Sequence, residues 1–469
     1  MSNEKLIERR KHAMGPAYSH FYDEPLYLTR GEGVWLFDNE GRKYLDCYNN
    51  VPSVGHCHPH VVDAVTKQIG TLNTHTRYLH HTIVEYAEIL AATLPGDLSV
   101  CTLVCTGTEA NDLAYRIART VTGNEGAICT VGAYHGNSTL VSELSPEFER
   151  LRPRPDFVVD VVPPDVYRGP FGEDDPDYVG KYAGLVDDAI AELAEKGHRP
   201  AMMIIDSIYD AAGVHTPPPE YQQKVYEKVR AAGGLVVCDE VQSGLTRMGD
   251  NYWGFMDSGV VPDIVTMGKP LGGGHPLAVV ATTPEIAADF AKESDYFNTF
   301  GGNPVSATAG KAVLDVVARE DLLANVRKSG DYLIAGFRKL AEKHELIGDI
   351  RGKGLFLSVE LVRSRATKEP AGAETAEVVE LMRESGVLIA PNGEHRNTLK
   401  LRPPLVFTTD HADIALAALD DALSKVGYFK PSDRQRGCGQ AASCEPGQVH
   451  RLIESSLRPR RHAQGRSPD

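Results

Sequence analysis

Short apolar runs alternate with amphipathic segments along much of the chain. Runs such as Leu235–Cys238 and Ile264–Met267 are too short for a helix and suit buried strands. Other segments carry apolar residues at helical spacing, for example Ile83, Ala87 and Leu90. Strands and helices that alternate in this way predict an α/β fold with a mostly parallel sheet and right-handed crossovers.

Composition narrows the class of protein. The chain has 469 residues and a formal net charge of −15, which argues against a nucleic-acid partner because such proteins present a basic face. No stretch approaches the roughly 20 apolar residues of a membrane helix. The N-terminal MSNEKLIERRKH lacks an apolar signal core, and Glu4 and Glu8 count against a transit peptide. The eight cysteines show no paired spacing, which is typical of thiols in a reducing cytoplasm. We therefore expect a cytoplasmic protein without membrane or nucleic-acid partners.

Charged residues follow two of the apolar runs. Asp239 comes directly after one run, and Lys269 follows the other after a single glycine. In open α/β sheets, ligands bind at the carboxyl ends of the strands. A partly desolvated lysine there can form a Schiff base, and an acid can stay ionised beside a buried cation. Pyridoxal phosphate requires both groups. The alternative is that Asp239 caps a loop and Lys269 is an ordinary surface residue.

Two further segments could contact a flat phosphorylated ligand. The turn Thr106-Gly107-Thr108 stands directly at a predicted helix start, where backbone N–H groups and the helix dipole favour an anion. A threonine cap without any ligand explains this short turn equally well. Tyr134 follows the apolar run AICTV, and an aromatic side chain in that place can stack on a flat ring.

The segments DEVQSG and TMGKPLGGG resemble the signature of the class III aminotransferases, which are pyridoxal-phosphate enzymes of fold type I. The resemblance extends from roughly Gly31 to about Phe407. It implies a large domain with a mostly parallel seven-stranded sheet and a smaller α/β domain. It also implies that Lys269 is the Schiff-base lysine and that Asp239 is the partner of the pyridinium nitrogen.

The resemblance assigns further residues to the cofactor and to assembly. Val241 would lie against one ring face and Gln242 near the ring hydroxyl, while Tyr134 would cover the ring. TGTEAN matches the phosphate loop, so Gly107 and Thr108 would bind the cofactor phosphate.

In the family, the threonine of FNTFGGNP reaches the neighbouring subunit's cofactor phosphate. Thr299 therefore implies a homodimer or homotetramer with shared active sites. The histidine run VGHCHPHV also matches the family, where it is structural and lies near the cofactor entrance, so no metal is expected.

One departure from the family bears on the reaction. Aminotransferases of this class generally carry an arginine before PPL that pairs with a substrate carboxylate. This chain has Lys400 there and Arg402 two residues later, and a strand places both on one face. Arg77, from a predicted loop over the site, would add a third cation, and Asn50 a polar group facing the substrate.

YNNVPSVGHCHP, TRYLHHTIVEYA and TLKLRPPLVFT are similar to the branch that eliminates phosphate from amino-phosphates. This similarity predicts a phospho-lyase for O-phosphoethanolamine; the spacing of residues alone leaves lyase and aminotransferase open. The alternative is an aminotransferase for ω-amines or amino acids with a keto-acid acceptor. A non-catalytic cofactor-binding regulator would need a DNA-binding segment, and no basic helix-turn-helix stretch precedes the large domain.

The family resemblance and the composition of the tail predict the domain organisation. Residues 1–60 are predicted to contribute to the small domain, 61–310 to form the large cofactor-binding domain and 311–430 to form the C-terminal small domain. Beyond these, residues 431–469 are rich in Arg, Ser, Gly, Pro and Gln, a composition that predicts a disordered tail.

Overall fold

The computed structural model describes residues 3–147 and 153–426 of the chain, so the tail predicted at 431–469 lies outside the described residues. The α-helices are α1 (Asn3–Met14), α2 (Pro59–Ile69), α3 (His81–Ala91), α4 (Gly107–Thr122), α5 (Tyr178–Glu195), α6 (Pro219–Ala231), α7 (Pro284–Glu293), α8 (Pro304–Arg319), α9 (Leu322–Lys343), α10 (Gly372–Glu384) and α11 (Thr409–Lys425). The strands are β1 (Leu28–Glu32), β2 (Trp35–Asp38), β3 (Lys43–Asp46), β4 (Val100–Val104), β5 (Gly126–Thr130), β6 (Val158–Val161), β7 (Pro200–Asp206), β8 (Leu235–Asp239), β9 (Ile264–Met267), β10 (Ala278–Thr282), β11 (Ile347–Lys353), β12 (Phe356–Ser364), β13 (Glu369–Pro370), β14 (Val387–Leu388), β15 (Ala390–Asn392) and β16 (Thr398–Leu401).

A seven-stranded sheet forms the centre of the fold, with the strand order β4-β10-β9-β8-β7-β5-β6. Strands β5 to β9 pair in parallel with one another, whereas β10 runs antiparallel to β4 and β9. Parallel pairing places the carboxyl ends of these strands at one edge. The predicted α/β class with a mostly parallel seven-stranded sheet is confirmed.

Helices cover both faces of this sheet, which explains why its strands are apolar runs. On one face, Ile204 of β7 belongs to the same buried cluster as Leu113 of α4. The next residue, Ile205, points to the other face and joins Val186 of α5 and Val225 of α6. The strand sequence therefore carries apolar residues at successive positions, with polar groups left for its carboxyl end.

Two smaller sheets complete the described structure. One has the order β1-β2-β3-β14, in which the N-terminal strand β3 pairs in parallel with β14. The other has the order β11-β12-β16-β15, with β13 paired to β12. Strand β16 carries Lys400 and pairs antiparallel with both β12 and β15. The predicted domain boundaries stay a prediction.

The fold also contains buried thiols. Cys47, Cys129 and Cys238 are free and fully buried.

Within residues 3–147 and 153–426, none of the helices is long and apolar enough to cross a membrane. The cytoplasmic location expected from the sequence stays a prediction.

Candidate active site

Lys269 lies at the carboxyl end of β9 in an unusual turn. After Gly268 the chain enters a short 3₁₀ helix that starts at Lys269. The φ angle of Lys269 is +27°, a backbone conformation that residues with side chains rarely adopt. Burial lowers the pKa of Lys269 to about 8, and the positive charge of Arg402 acts in the same direction. The sheet edge therefore holds an amine that can lose its proton near neutral pH.

Asp239 ends the neighbouring strand β8 and is held by three donors. Its Oδ2 accepts hydrogen bonds from Asn111 Nδ2 at 2.9 Å and His135 Nδ1 at 2.7 Å, and its Oδ1 accepts the N–H of Val241 at 3.0 Å. Thr266 in turn donates to Asn111 Oδ1 at 2.6 Å, which fixes the orientation of that amide. The carboxylate is buried and oriented by side chains from other elements.

The start of α4 lies beside this strand end. Thr106 and Glu109 cap the helix reciprocally, so that Gly107 and Thr108 are its first residues. A Cβ atom on Gly107 would lie only 3.0 Å from Val241, which shows how closely the helix start approaches the segment after β8. The first N–H groups of α4, with the positive end of its dipole, are available to an anion at this point.

Tyr134 is half-buried in the turn that follows β5. Burial raises the pKa of Tyr134, and nearby carboxylates, Asp239 among them, act in the same direction. In the same turn, Gly136 adopts a φ of +144°. The N–H of the next residue, Asn137, donates a hydrogen bond to Thr108 Oγ1 at 3.3 Å. The turn that carries Tyr134 therefore lies against the start of α4.

Asn50 and Gln242 connect the N-terminal segment to β16. Gln242 Oε1 accepts a hydrogen bond from Asn50 Nδ2 at 2.8 Å and another from Arg402. Asp46 fixes the turn before Asn50 by accepting the N–H of Tyr48 at 3.0 Å. Asn50 is buried, so burial and the bond to Gln242 fix the position of its side-chain amide in the site.

Two cations share a buried position with one acid: Lys400 lies in β16 and Arg402 directly follows the strand, and we refer to this pair as the cations of β16. Lys400 and Arg402 are 6% and 7% exposed. Lys400 Nζ lies 2.9 Å from Asp210 Oδ1, and Arg402 Nη1 lies 3.8 Å from Asp210 Oδ2. The ring of Tyr48 lies beneath the Arg402 guanidinium, 4.5 Å from its carbon. Among the described residues, the buried Nε atom of Arg402 has no hydrogen-bond partner.

Arg77 and Thr299 lie in exposed loops of this chain. The Arg77 guanidinium lies over the ring of Phe297, 3.9 Å from its centre, in an exposed loop. Thr299 is exposed two residues after Phe297. The structure therefore brings ten of the predicted residues together at the sheet edge and places the other two in exposed loops. The ten are Asn50, Gly107, Thr108, Tyr134, Asp239, Val241, Gln242, Lys269, Lys400 and Arg402.

The three neighbouring histidines do not converge. Each one bonds a different acid: His56 with Asp46 at 2.7 Å, His58 with Glu320 at 3.0 Å and His60 with Asp315 at 3.1 Å. In the part of the chain that the structure describes, no group of three or more His, Cys, Asp or Glu residues could hold a metal ion.

Sequence reasoning missed three residues that orient the site. Asn111 and His135 both bond to Asp239, and Asp210 pairs with the cations of β16. Asn111 follows the TGTEA turn and His135 follows Tyr134, so their neighbours provided a signal. Asp210 gave none, because its partner Lys400 lies 190 residues away in the sequence.

Known proteins match this chain over most of its length. A family model described as aminotransferase class-III matches residues 17–423. An Arabidopsis thaliana protein named alanine–glyoxylate aminotransferase 2 homolog 2, mitochondrial, is 43% identical, and the match covers 91% of this chain and 88% of the relative. A Caenorhabditis elegans protein named ethanolamine-phosphate phospho-lyase homolog 1 is 39% identical, with 90% and 94% covered. A solved phospholyase from Arthrobacter in complex with phosphoethanolamine is 44% identical with a TM-score of 0.87, covering 89% of this chain and 99% of that chain.

Proposed function

Because the chain belongs to the class-III aminotransferase family, we propose that it is a pyridoxal-phosphate-dependent phospho-lyase for O-phosphoethanolamine. With one molecule of water, the reaction gives acetaldehyde, ammonia and inorganic phosphate. The family and its cofactor follow from the match, whereas the choice of reaction rests on the cations of β16. The second candidate is an aminotransferase for ω-amines or amino acids with a keto-acid acceptor, which the name of the plant relative favours.

The residues of the site fit pyridoxal phosphate. Lys269 offers an amine to its aldehyde, and Asp239, held by Asn111, offers a carboxylate to its ring nitrogen. The start of α4 offers N–H groups to its phosphate, and Gly107 leaves the space that a Cβ would take against Val241. When bound, the cofactor supplies an electron sink for a carbanion formed next to the amine nitrogen.

Four charged residues of the site then take part in the elimination. Lys269, as a free amine, removes the proton from the carbon that bears the nitrogen. Asp239 keeps the ring nitrogen protonated. The bond from the next carbon to the phosphate oxygen breaks, and the electron pair leaves with the phosphate. Lys400 and Arg402 stabilise the negative charge that collects on the departing oxygens.

Asp239→Asn is expected to lower turnover by about 10²-fold or more, because the shape is kept but the charge that holds the ring proton is lost. The cofactor should still bind, since Asn111 and the start of α4 are unchanged. Steady-state kinetics with a visible spectrum of the purified variant would measure both effects. Asp257→Asn, a neutralised acid that pairs with Lys353 outside the site, serves as the control. A near-wild-type rate in Asp239→Asn would contradict the assigned role.

The observation that carries the proposed reaction is the pair of buried cations on β16. A phosphomonoester brings nearly two negative charges at neutral pH, so a site that expels it needs several donors around a tetrahedral group. A carboxylate-binding site is served by one bidentate arginine. Lys400 acts as a compact charge and Arg402 as a fork with an available Nε donor. This combination suits phosphate.

Release of inorganic phosphate from phosphoethanolamine without any added keto acid tests the proposal. A lyase needs no amino acceptor, so phosphate and acetaldehyde should appear in equal amounts from the purified protein with its cofactor. An aminotransferase would convert the amine only when a keto acid is supplied, and it would leave the phosphate ester intact. That second pattern would favour the alternative function.

We further propose that two chains form each active site. The exposed loops 71–79 and 295–300 contact each other, since the ring of His75 meets the ring of Phe297 edge to face at 5.8 Å. Both loops present exposed apolar side chains, and surfaces of this kind mark protein interfaces. A two-fold symmetric partner seated there would receive Thr299 and Arg77 from this chain together. The exposed apolar residues are Leu72, Tyr78, Leu79, Tyr296, Phe297 and Phe300.

Mixing Thr299→Ala chains with Lys269→Ala chains should restore activity. If Thr299 serves the neighbour's cofactor phosphate, each hybrid dimer has one site with both changes and one site with neither. Activity of the isolated hybrid should then approach half that of the wild type, above either parent. The same pairing of Arg77→Ala with Lys269→Ala tests Arg77. Hybrids no more active than the Thr299→Ala parent would place Thr299 in the site of its own chain.

A further inference from the structure

A carboxylate without a task in the elimination lies between the two cations. Asp210 is 3% exposed and contacts Lys400 at 2.9 Å and Arg402 at 3.8 Å. Burial by itself raises the pKa of Asp210, but the positive charges of Lys400 and Arg402 outweigh burial and lower the pKa below its usual value. Asp210 is therefore ionised at neutral pH.

Asp210 is also fixed in place. Its backbone N–H donates to Asp206 Oδ2 at 2.8 Å, and its C=O accepts from Asn392 Nδ2 at 2.6 Å. Asn392 Oδ1 in turn accepts from Lys400 Nζ at 3.2 Å, which closes a ring of contacts between the segment after β7 and strands β15 and β16. These contacts fix the backbone of Asp210, and the bond from Lys400 Nζ to Asp210 Oδ1 holds the carboxylate beside the cations.

The fixed acid changes the charge that an anion meets. Lys400 and Arg402 together contribute two positive charges, and Asp210 reduces the sum to one. A phosphate dianion beside the cations is attracted by both of them and repelled by Asp210 at short range. The acid therefore weakens the binding of phosphate at this position.

We propose that Asp210 is an affinity-determining residue, a built-in counter-anion that keeps the phosphate site weak enough to release inorganic phosphate. The inference rests on the proposed function for the identity of the anion. The substrate is held at two ends, by its amine at the cofactor and by its phosphate at the cations. The product phosphate is held by the cations alone, so repulsion from Asp210 weighs most heavily on the product.

Titration of inorganic phosphate into the cofactor-loaded protein measures this effect directly. Asp210→Asn keeps an oxygen acceptor for Lys400 but removes the negative charge. Its dissociation constant for phosphate, measured by isothermal calorimetry, should be at least about tenfold lower than that of the wild type. Asp257→Asn neutralises an acid that accepts from Lys353 at 2.6 Å outside the site, and it should bind phosphate as the wild type does.

Kinetics provide a second readout that a purely structural role would not produce. In Asp210→Asn, KM for phosphoethanolamine and the inhibition constant of phosphate should both fall, and kcat should fall because the product leaves more slowly. Added phosphate should also raise the unfolding temperature of Asp210→Asn more than that of the wild type. If Asp210→Asn does not fold, Asp210→Ser offers the same test with a smaller side chain.

Unchanged or weaker phosphate binding in the neutral variants overturns the inference, since Asp210 would then only hold Lys400 in position. The inference is also overturned if neither the wild type nor Asp210→Asn binds phosphate. Failure of the wild type to release phosphate from phosphoethanolamine would instead overturn the proposed function. The phosphate titration does not depend on turnover, so the two failures are distinguishable.

Discussion

Lys269→Ala is expected to lower turnover by about 10⁴-fold or more, because one amine serves both as the covalent anchor of the cofactor and as the base that removes the substrate proton. The visible absorbance that arises from Lys269 joined to the cofactor should also disappear. The fold should persist, since Asp239, the start of α4 and β16 do not depend on this side chain. Steady-state phosphate release, absorbance and thermal unfolding together measure these outcomes.

Lys269→Arg distinguishes the loss of the reactive amine from the loss of the positive charge. Arginine keeps the positive charge but stays protonated at all working pH values, so it should be as inactive as alanine. Lys228→Ala, which removes a surface lysine paired with Asp187, should leave turnover unchanged. Substantial turnover in Lys269→Arg would show that another residue acts as the base.

The pH dependence of the wild type follows from the same amine. Burial lowers the pKa of Lys269 to about 8, with Arg402 adding to the effect. The lysine is therefore neutral, and able to accept a proton, above about pH 8. It becomes protonated and loses that ability as the pH falls through this value. A rate that rises with pH across this range would agree with Lys269 as the base.

The sheet edge was predictable because buried parallel strands leave a local signal. A strand covered on both faces must be apolar at successive positions, so the runs before Asp239 and Lys269 identify β8 and β9 directly. The first polar group after each run then marks the carboxyl edge. The family resemblance added the identity of the cofactor, which spacing alone left open.

The contacts within the site were less predictable because they join distant segments. The partners Asp210 and Lys400 lie 190 residues apart, and only the packing of β16 beside the segment after β7 brings them together. Helix α5 begins at Tyr178, directly after a stretch rich in Pro, Asp and Gly. Gly180 and Gly184 in its first two turns weaken the helical signal of the sequence, whereas the packing of buried side chains such as Tyr182 stabilises the helix.

Removing both cations of β16 is expected to reduce phosphate release from phosphoethanolamine by about 10³-fold. Each charge-assisted contact to the phosphate contributes about 1.5–3 kcal/mol, which corresponds to roughly tenfold or more for each cation. Lys400→Ala and Arg402→Ala should therefore each lower kcat/KM by at least about tenfold. The double variant also leaves Asp210 unpaired beside the substrate phosphate, which adds repulsion. Cofactor binding should not change, because Lys269, Asp239 and α4 remain.

Lys400→Arg provides the decisive comparison, because it places the fork of an aminotransferase at the position of the lysine. Phosphate release should fall in this variant, while amines and amino acids without phosphate should be affected much less. Those substrates also serve as the control for Lys400→Ala and Arg402→Ala, since a general defect would lower their turnover equally. If phosphate release stays normal in both alanine variants, the cations of β16 do not bind the leaving group. The elimination would then lose its physical basis, and the aminotransferase would become the better assignment.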